Sequence, residues 1–123
     1  MTDGRPIRAL AAILAGLAVA AGALAAHALE KRLTAEALDW WDTGARYHLW
    51  HAIALWLVAD TIRATGRGRG AALAFIAGIV LFSGSLYALA LTGERSLGMI
   101  TPFGGVAFLV GWALLALSAL AKR

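Results

Sequence analysis

Thr43-Gly44-Ala45-Arg46-Tyr47-His48-Leu49-Trp50-His51 brings a cation, a phenol, two imidazoles and an indole to the entrance of an apolar run. Whether that run crosses a membrane decides the fold. From Gly44 to Ile62 it is shorter than the roughly 20 residues of a comfortable span. Part of its polar start is therefore expected at the membrane boundary or inside it. Thr43, Tyr47, His51, Ala54 and Val58 line one face at helical spacing, while His48 is displaced by roughly 60–100°. His51 is thus the histidine expected to point inward.

The rest of the chain makes the membrane reading the natural one. Its residues are 61% apolar and only 15% charged, more apolar surface than a soluble domain of this size can hide. The absence of cysteine excludes disulfides, thiolate metal sites and cysteine nucleophiles. The net charge of +4 comes from basic residues scattered at segment ends rather than gathered in a stripe, which argues against nucleic acid as a partner. The run Arg63-Ala64-Thr65-Gly66-Arg67-Gly68-Arg69-Gly70 lacks Walker spacing and reads as a loop.

Upstream, Ile7–Leu29 is too long for the apolar region of a signal peptide, roughly 7–15 residues, and is expected to be a retained helix. Ala12, Gly16, Val19, Ala23 and Ala26 form a small-residue stripe suited to helix contact in lipid, with His27 on the same side pointing toward partner helices. Between Glu30 and Asp42 the pattern predicts a short interfacial helix capped by Thr34, with Trp40 and Trp41 at headgroup depth. The rival reading makes it an extension of the following span. Asp60 and Arg63 are placed to pair locally.

Downstream, Ala71–Leu91 forms a third span. Gly78, Leu81, Ser85, Ala88 and Thr92 lie on one side, and Ser83, Tyr87 and Ala90 on another. Thr101-Pro102 signals a helix start with Thr101 as N-cap, and Gly104, Ala107, Gly111, Leu115 and Ser118 form a close-packing seam on the fourth segment, residues 101–121. The N-terminus, the Gly-Arg loop and the C-terminus hold Arg5, Arg8, Arg63, Arg67, Arg69, Lys122 and Arg123; the other side holds Lys31, Arg32, Arg46 and Arg95. That bias puts both termini in the cytoplasm.

This topology gathers His27, Arg46, Tyr47, His51, Ser83, Ser85, Tyr87 and Thr101 in the outer half of the bundle. Three readings follow. A hydrogen-bond network holds the helices in register. A pocket or pathway for a small solute or ion uses titrating histidines. Two imidazoles on facing helices clamp a metal or haem, for which further ligand signals are absent. Ser83 and Ser85 are expected to bond to carbonyls or neighbouring helices rather than to act as nucleophiles.

Gly22-Ala23-Leu24-Ala25-Ala26-His27, Arg46-Tyr47-His48-Leu49-Trp50-His51-Ala52, Leu81-Phe82-Ser83-Gly84-Ser85-Leu86-Tyr87, Ile100-Thr101-Pro102-Phe103-Gly104-Gly105 and Gly111-Trp112 together resemble one known group. It is the small membrane-protein family of unknown function that includes bacterial YgdD and YwdK and the eukaryotic transmembrane protein 256. The resemblance runs from about Leu10 to Leu120 and implies a four-helix integral membrane protein, in bacteria of the inner membrane. Leu24 and Ala25 stand where the family pattern has Phe and Gly, and His48 where it has Gln. The resemblance carries no catalytic role.

The expectation is a single all-α domain, residues 1–123. It is a four-helix transmembrane bundle, up-down-up-down, with spans at about 7–29, 44–62, 71–91 and 101–121 and a short interfacial helix between the first two. The function expected is non-enzymatic, an accessory or structural protein of the inner membrane, with no cofactor and no metal. Its partners are the lipid bilayer and either a second copy or a membrane complex. The alternative is a small transporter or channel using His27, Tyr47, His51, Ser83 and Tyr87.

Overall fold

Helix α1, Arg5–His27, begins with Pro6 in its first turn, where a missing N–H costs nothing. Gly4, Ala11, Ala18, Ala21 and Ala25 are buried on one side of it. These positions repeat by sevens and by threes and fours, the spacing of a coiled-coil seam. The computed structural model describes residues 3–121. The stripe predicted to pack (Ala12, Gly16, Val19, Ala23 and Ala26) faces outward throughout. Both faces are rich in small residues, so composition did not distinguish them; the partner did.

Helix α2, Ala35–Thr65, is a single rod of 31 residues. Thr34 caps it as expected, its hydroxyl accepting from the Ala37 N–H at 3.1 Å, and it ends at Gly66, whose φ of 72° needs no side chain in the way. The separate interfacial helix expected before it is not found: Glu36–Asp42 are the first turns of α2, and only a 3-10 turn, Leu29–Lys31, lies between α1 and the cap. No helix breaker stands between Asp42 and Gly44 strong enough to stop a helix already nucleated and packed on α1. Trp41 accordingly leaves the surface and is buried, against the expectation of headgroup depth.

Helix α3, Arg69–Thr92, contains a π-helical turn at Ile79–Ser83. Helix α4, Thr101–Leu120, follows a 3-10 turn at Arg95–Met99. Ile100 rather than Thr101 holds the N-cap position, without a side-chain cap. The fourth expected span thus ends one residue early; Lys122 and Arg123, used in the charge count, lie outside the described residues.

The order of contact is α1 on α2, α2 on α3, and α3 on α4. Gly4 sits against the Ala59 carbonyl and Ala21 meets Trp41, so the start of α1 lies by the end of α2. Gly104 lies against the Phe82 backbone and Gly111 against the Phe75 ring, two close contacts of the seam predicted for α4, and Phe108, outside that predicted seam, fills the space opposite Gly78. Three helical segments, Arg5–His27, Arg69–Thr92 and Arg95–Leu120, are long and apolar enough to cross a membrane. Helix α2 is not among them; Glu36, Asp39, Asp42, Arg46 and two histidines dilute it.

Candidate functional site

The nine-residue stretch read first lies near the middle of α2, not at its start. About two turns of helix precede it, so its inward side chains meet the interior of the bundle rather than its mouth. His51 is buried there. Its Nδ1–H donates to the Tyr47 carbonyl at 2.8 Å, and its Nε2 accepts from the Trp112 Nε1–H at 3.0 Å. An indole can only donate, so these two partners require a neutral ring with the proton on Nδ1. Phe108 lies flat on the ring at 3.6 Å between centroids, and Phe75 meets it edge-on at 5.4 Å. Tyr47 stacks nearly parallel at 6.1 Å. The one N–H and the one in-plane lone pair of His51 are therefore both used, and Phe108 covers a face of the ring.

His48 is buried as well, though the helical wheel assigned it away from the interior. One imidazole per turn was expected inward; α2 is enclosed on two sides, by α1 and by α3, so adjacent faces are both covered. The His48 Nδ1 shares a hydrogen bond of 2.9 Å with the Tyr87 hydroxyl, while its Nε2 is buried without a partner. The Tyr87 ring leans on Trp41 at 4.5 Å, and the Trp41 Nε1–H donates to the Ala21 carbonyl of α1 at 2.7 Å.

The two serines behave as expected. Ser83, fully enclosed, donates to the Gly44 carbonyl of α2 at 2.7 Å. Gly44 lets the helices approach that closely, since a Cβ there would press on Tyr87 and Leu86. Ser85 faces α4 instead, donating to the Phe82 carbonyl at 3.0 Å or sharing a 2.6 Å bond with the Thr101 hydroxyl. Thr101 thus ties α4 to α3 rather than capping its own helix.

Two predicted members stand apart. His27 ends α1, exposed, level with the start of α2. His51 lies 16 residues further along α2, about 24 Å at 1.5 Å per residue. A metal or haem held between these two imidazoles is incompatible with that separation. Arg46 is exposed on the opposite side of α2 from His51, with only a long bond of 3.4 Å to the Asp42 carbonyl. The predicted single cluster is therefore two buried centres, at His48–Tyr87 and at His51–Trp112, with a Ser85–Thr101 tie beside them.

The sequence reading also passed over a group at the other end of α2. Arg8 of α1 reaches Asp60 at 3.3 Å, closer than the expected local partner Arg63 at 3.9 Å. Its guanidinium lies over the Trp56 ring at 4.4 Å. A cation early in one apolar segment and an acid late in the next was the available signal.

The family described as "Protein of unknown function (DUF423)" matches residues 21–105. The chain is 46% identical over 113 residues to the UPF0382 membrane protein YwdK of Bacillus subtilis, covering 89% of this chain and 92% of that one. A UPF0382 membrane protein of Haemophilus influenzae is 45% identical, covering 87% of each chain. The UPF0382 inner membrane protein YgdD of Escherichia coli is 41% identical, covering 89% of this chain and 86% of the relative. No solved structure matches.

Proposed function

Because the chain belongs to the DUF423 family of membrane proteins, we propose that it is a four-pass inner-membrane protein whose buried polar residues serve its own architecture. The carrying observation is the saturation of His51: both nitrogens bonded, Phe108 flat on the ring, and the side chain buried. A ring so enclosed offers no lone pair to a solute, metal or proton. Three segments cross by length and composition. Helix α2 crosses as the fourth because its neighbours shield His48 and His51, and the outward side of its second half, from Trp50 through Ile53 to Leu57, is apolar. The contacts of Gly4 with Ala59 and of Gly104 with Phe82 support an up-down-up-down path. The arginines at 63, 67 and 69 then join Arg5 and Arg8 on the cytoplasmic side. The protein acts without catalysis, as an accessory or stabilising component of the membrane.

The test replaces His51 by Ala and by Gln and follows thermal unfolding in detergent. The architectural reading expects a loss of about 2–3 kcal/mol for Ala, from the cavity and the orphaned indole N–H, and partial rescue by Gln. Unchanged melting in both variants overturns it.

A conducting role is the second reading, and it rests on one atom, the unpartnered His48 Nε2. It expects solute or proton flux in vesicles that His48→Gln abolishes; no flux above empty vesicles removes it.

A further inference from the structure

The outward side of α2 changes character along its length. Trp50, Ile53 and Leu57 face out in its second half, but Asp39, Asp42 and Arg46 face out in its first. Contacts fix the level of those charges against α1. Ala21 is opposite Trp41 and Gly4 is opposite Ala59, so Arg46 lies beside Gly16 and Leu17, and Asp42 beside Ala20 and Ala21. Leu17, Val19 and Leu24 are exposed on α1 at these levels. The charges therefore stand within the apolar belt, where ionised side chains face a partner or water rather than acyl chains.

They also line a groove. A cavity of about 520 Å³ between α1 and α2 is bounded by Ala18, Val19, Gly22, Asp42, Arg46 and Leu49. A second, of about 380 Å³, continues it past Gly22 and Asp42 to Glu30 and Leu38. Gly22 at the junction has no atom within 4 Å of where a Cβ would sit.

We infer that a second copy of this chain docks along this groove, pairing Asp42 of each copy with Arg46 of the other. The inference rests on α2 crossing the bilayer, as proposed above. Charge selects the occupant. An anionic lipid would meet Asp42 and Glu30 as well as Arg46, and a cationic ligand would meet Arg46. Two copies inserted the same way are related by an axis along the membrane normal, which keeps each residue at its own depth, so Asp42 of one copy reaches Arg46 of the other diagonally, about one turn along α2, and the reverse pair forms by symmetry. The exposed Gly22 and Ala26 of the groove let the backbones come close enough for those side chains to meet.

The chain contains no cysteine, so single cysteines report proximity directly. In native membranes, Gly22→Cys is bridged by a short bis-maleimide; Leu109→Cys, exposed on the far face of α4, is the control. Docking expects a covalent dimer at Gly22 at least tenfold above that at Leu109. Asp42→Arg or Arg46→Asp, added singly, lowers it at least tenfold, and the two together restore it. Equal bridging at both positions, none at Gly22, or a Gly22 dimer indifferent to the charge reversals overturns the inference. Trp50→Cys separates the premise from the inference. Its reaction with a membrane-impermeant maleimide from either side, in intact cells or in inverted vesicles, removes α2 from the bilayer and the four-pass reading with it. If it is unreactive on both sides and Gly22 fails to bridge, only the dimer falls.

Discussion

The α1–α2 seam and the α3–α4 seam join helices by different means. Alanines of α1 meet small residues of α2, a contact of many methyl groups and little area. Polar ties hold it near both ends: Trp41 to the Ala21 carbonyl, and Arg8 to Asp60 with Trp56 beneath it. Between α3 and α4, aromatic rings enter glycine sites instead. Gly78 accommodates the Phe108 ring and Gly111 the Phe75 ring, while Gly104 lies directly against the Phe82 backbone. Rings bury far more surface per contact, and one hydroxyl pair, Ser85–Thr101, suffices there. Where lipid supplies no hydrophobic drive between helices, a seam gains its stability either from ring area or from hydrogen bonds and ion pairs.

The contrast is tested most severely at Gly104. A Cβ there falls on the Phe82 backbone, which cannot yield. Gly104→Val is expected to cost about 3 kcal/mol or more, the upper end of overpacking, seen as loss of the folded fraction in detergent. Gly84→Ala, on the open side of α3 with nothing within 4 Å of a Cβ, is the matched control and should leave the melting curve within about 0.5 kcal/mol.

A middle-sized effect is expected from the α1 seam's hydrogen bond. Trp41→Phe keeps most of the ring but removes the donor to Ala21, and should cost about 0.6–1.7 kcal/mol. The corresponding removal on the other seam, Thr101→Val, should cost less than Trp41→Phe, because Ser85 keeps the Phe82 carbonyl as an alternative partner. The reverse order would erase the distinction between the seams.

The smallest effect belongs to the ion pair. Arg8 and Asp60 are each about one-third exposed, so Arg8→Gln is expected to cost about 0.5–1 kcal/mol. Raising the salt concentration should shrink the difference between the two proteins. A cost independent of salt would assign the role to the Trp56 contact instead.

Much of this arrangement was legible in the chain. The α4 seam was readable because Gly104 and Gly111, two turns apart, mark one face for close approach. Thr34 declared its cap by residue type and position, and Ser83 and Ser85 declared backbone and neighbour bonding by the want of a base. The α1 seam was not readable: alanine and glycine occur all round that helix, and only α2 selects the face. Trp40 and Trp41 looked alike in sequence, yet Trp41 turns inward because the rod continues beneath it. His48 escaped the helical wheel because burial of α2 spans more than one face.

Composition alone was enough to set this protein in a membrane: with so many apolar residues and so few charges, no soluble core can cover the surface, whatever the topology. Periodicity and turn residues added the four long helical segments, since these are local properties of each segment, but not that the expected interfacial helix is the start of α2. Which face of each rod is inner, where Thr43–His51 lies along its helix, and which nitrogen of His51 carries the proton were decided only by the packed structure. Those depend on atoms brought together from distant parts of the chain, and side chains of the same kind are equivalent until a neighbour distinguishes them.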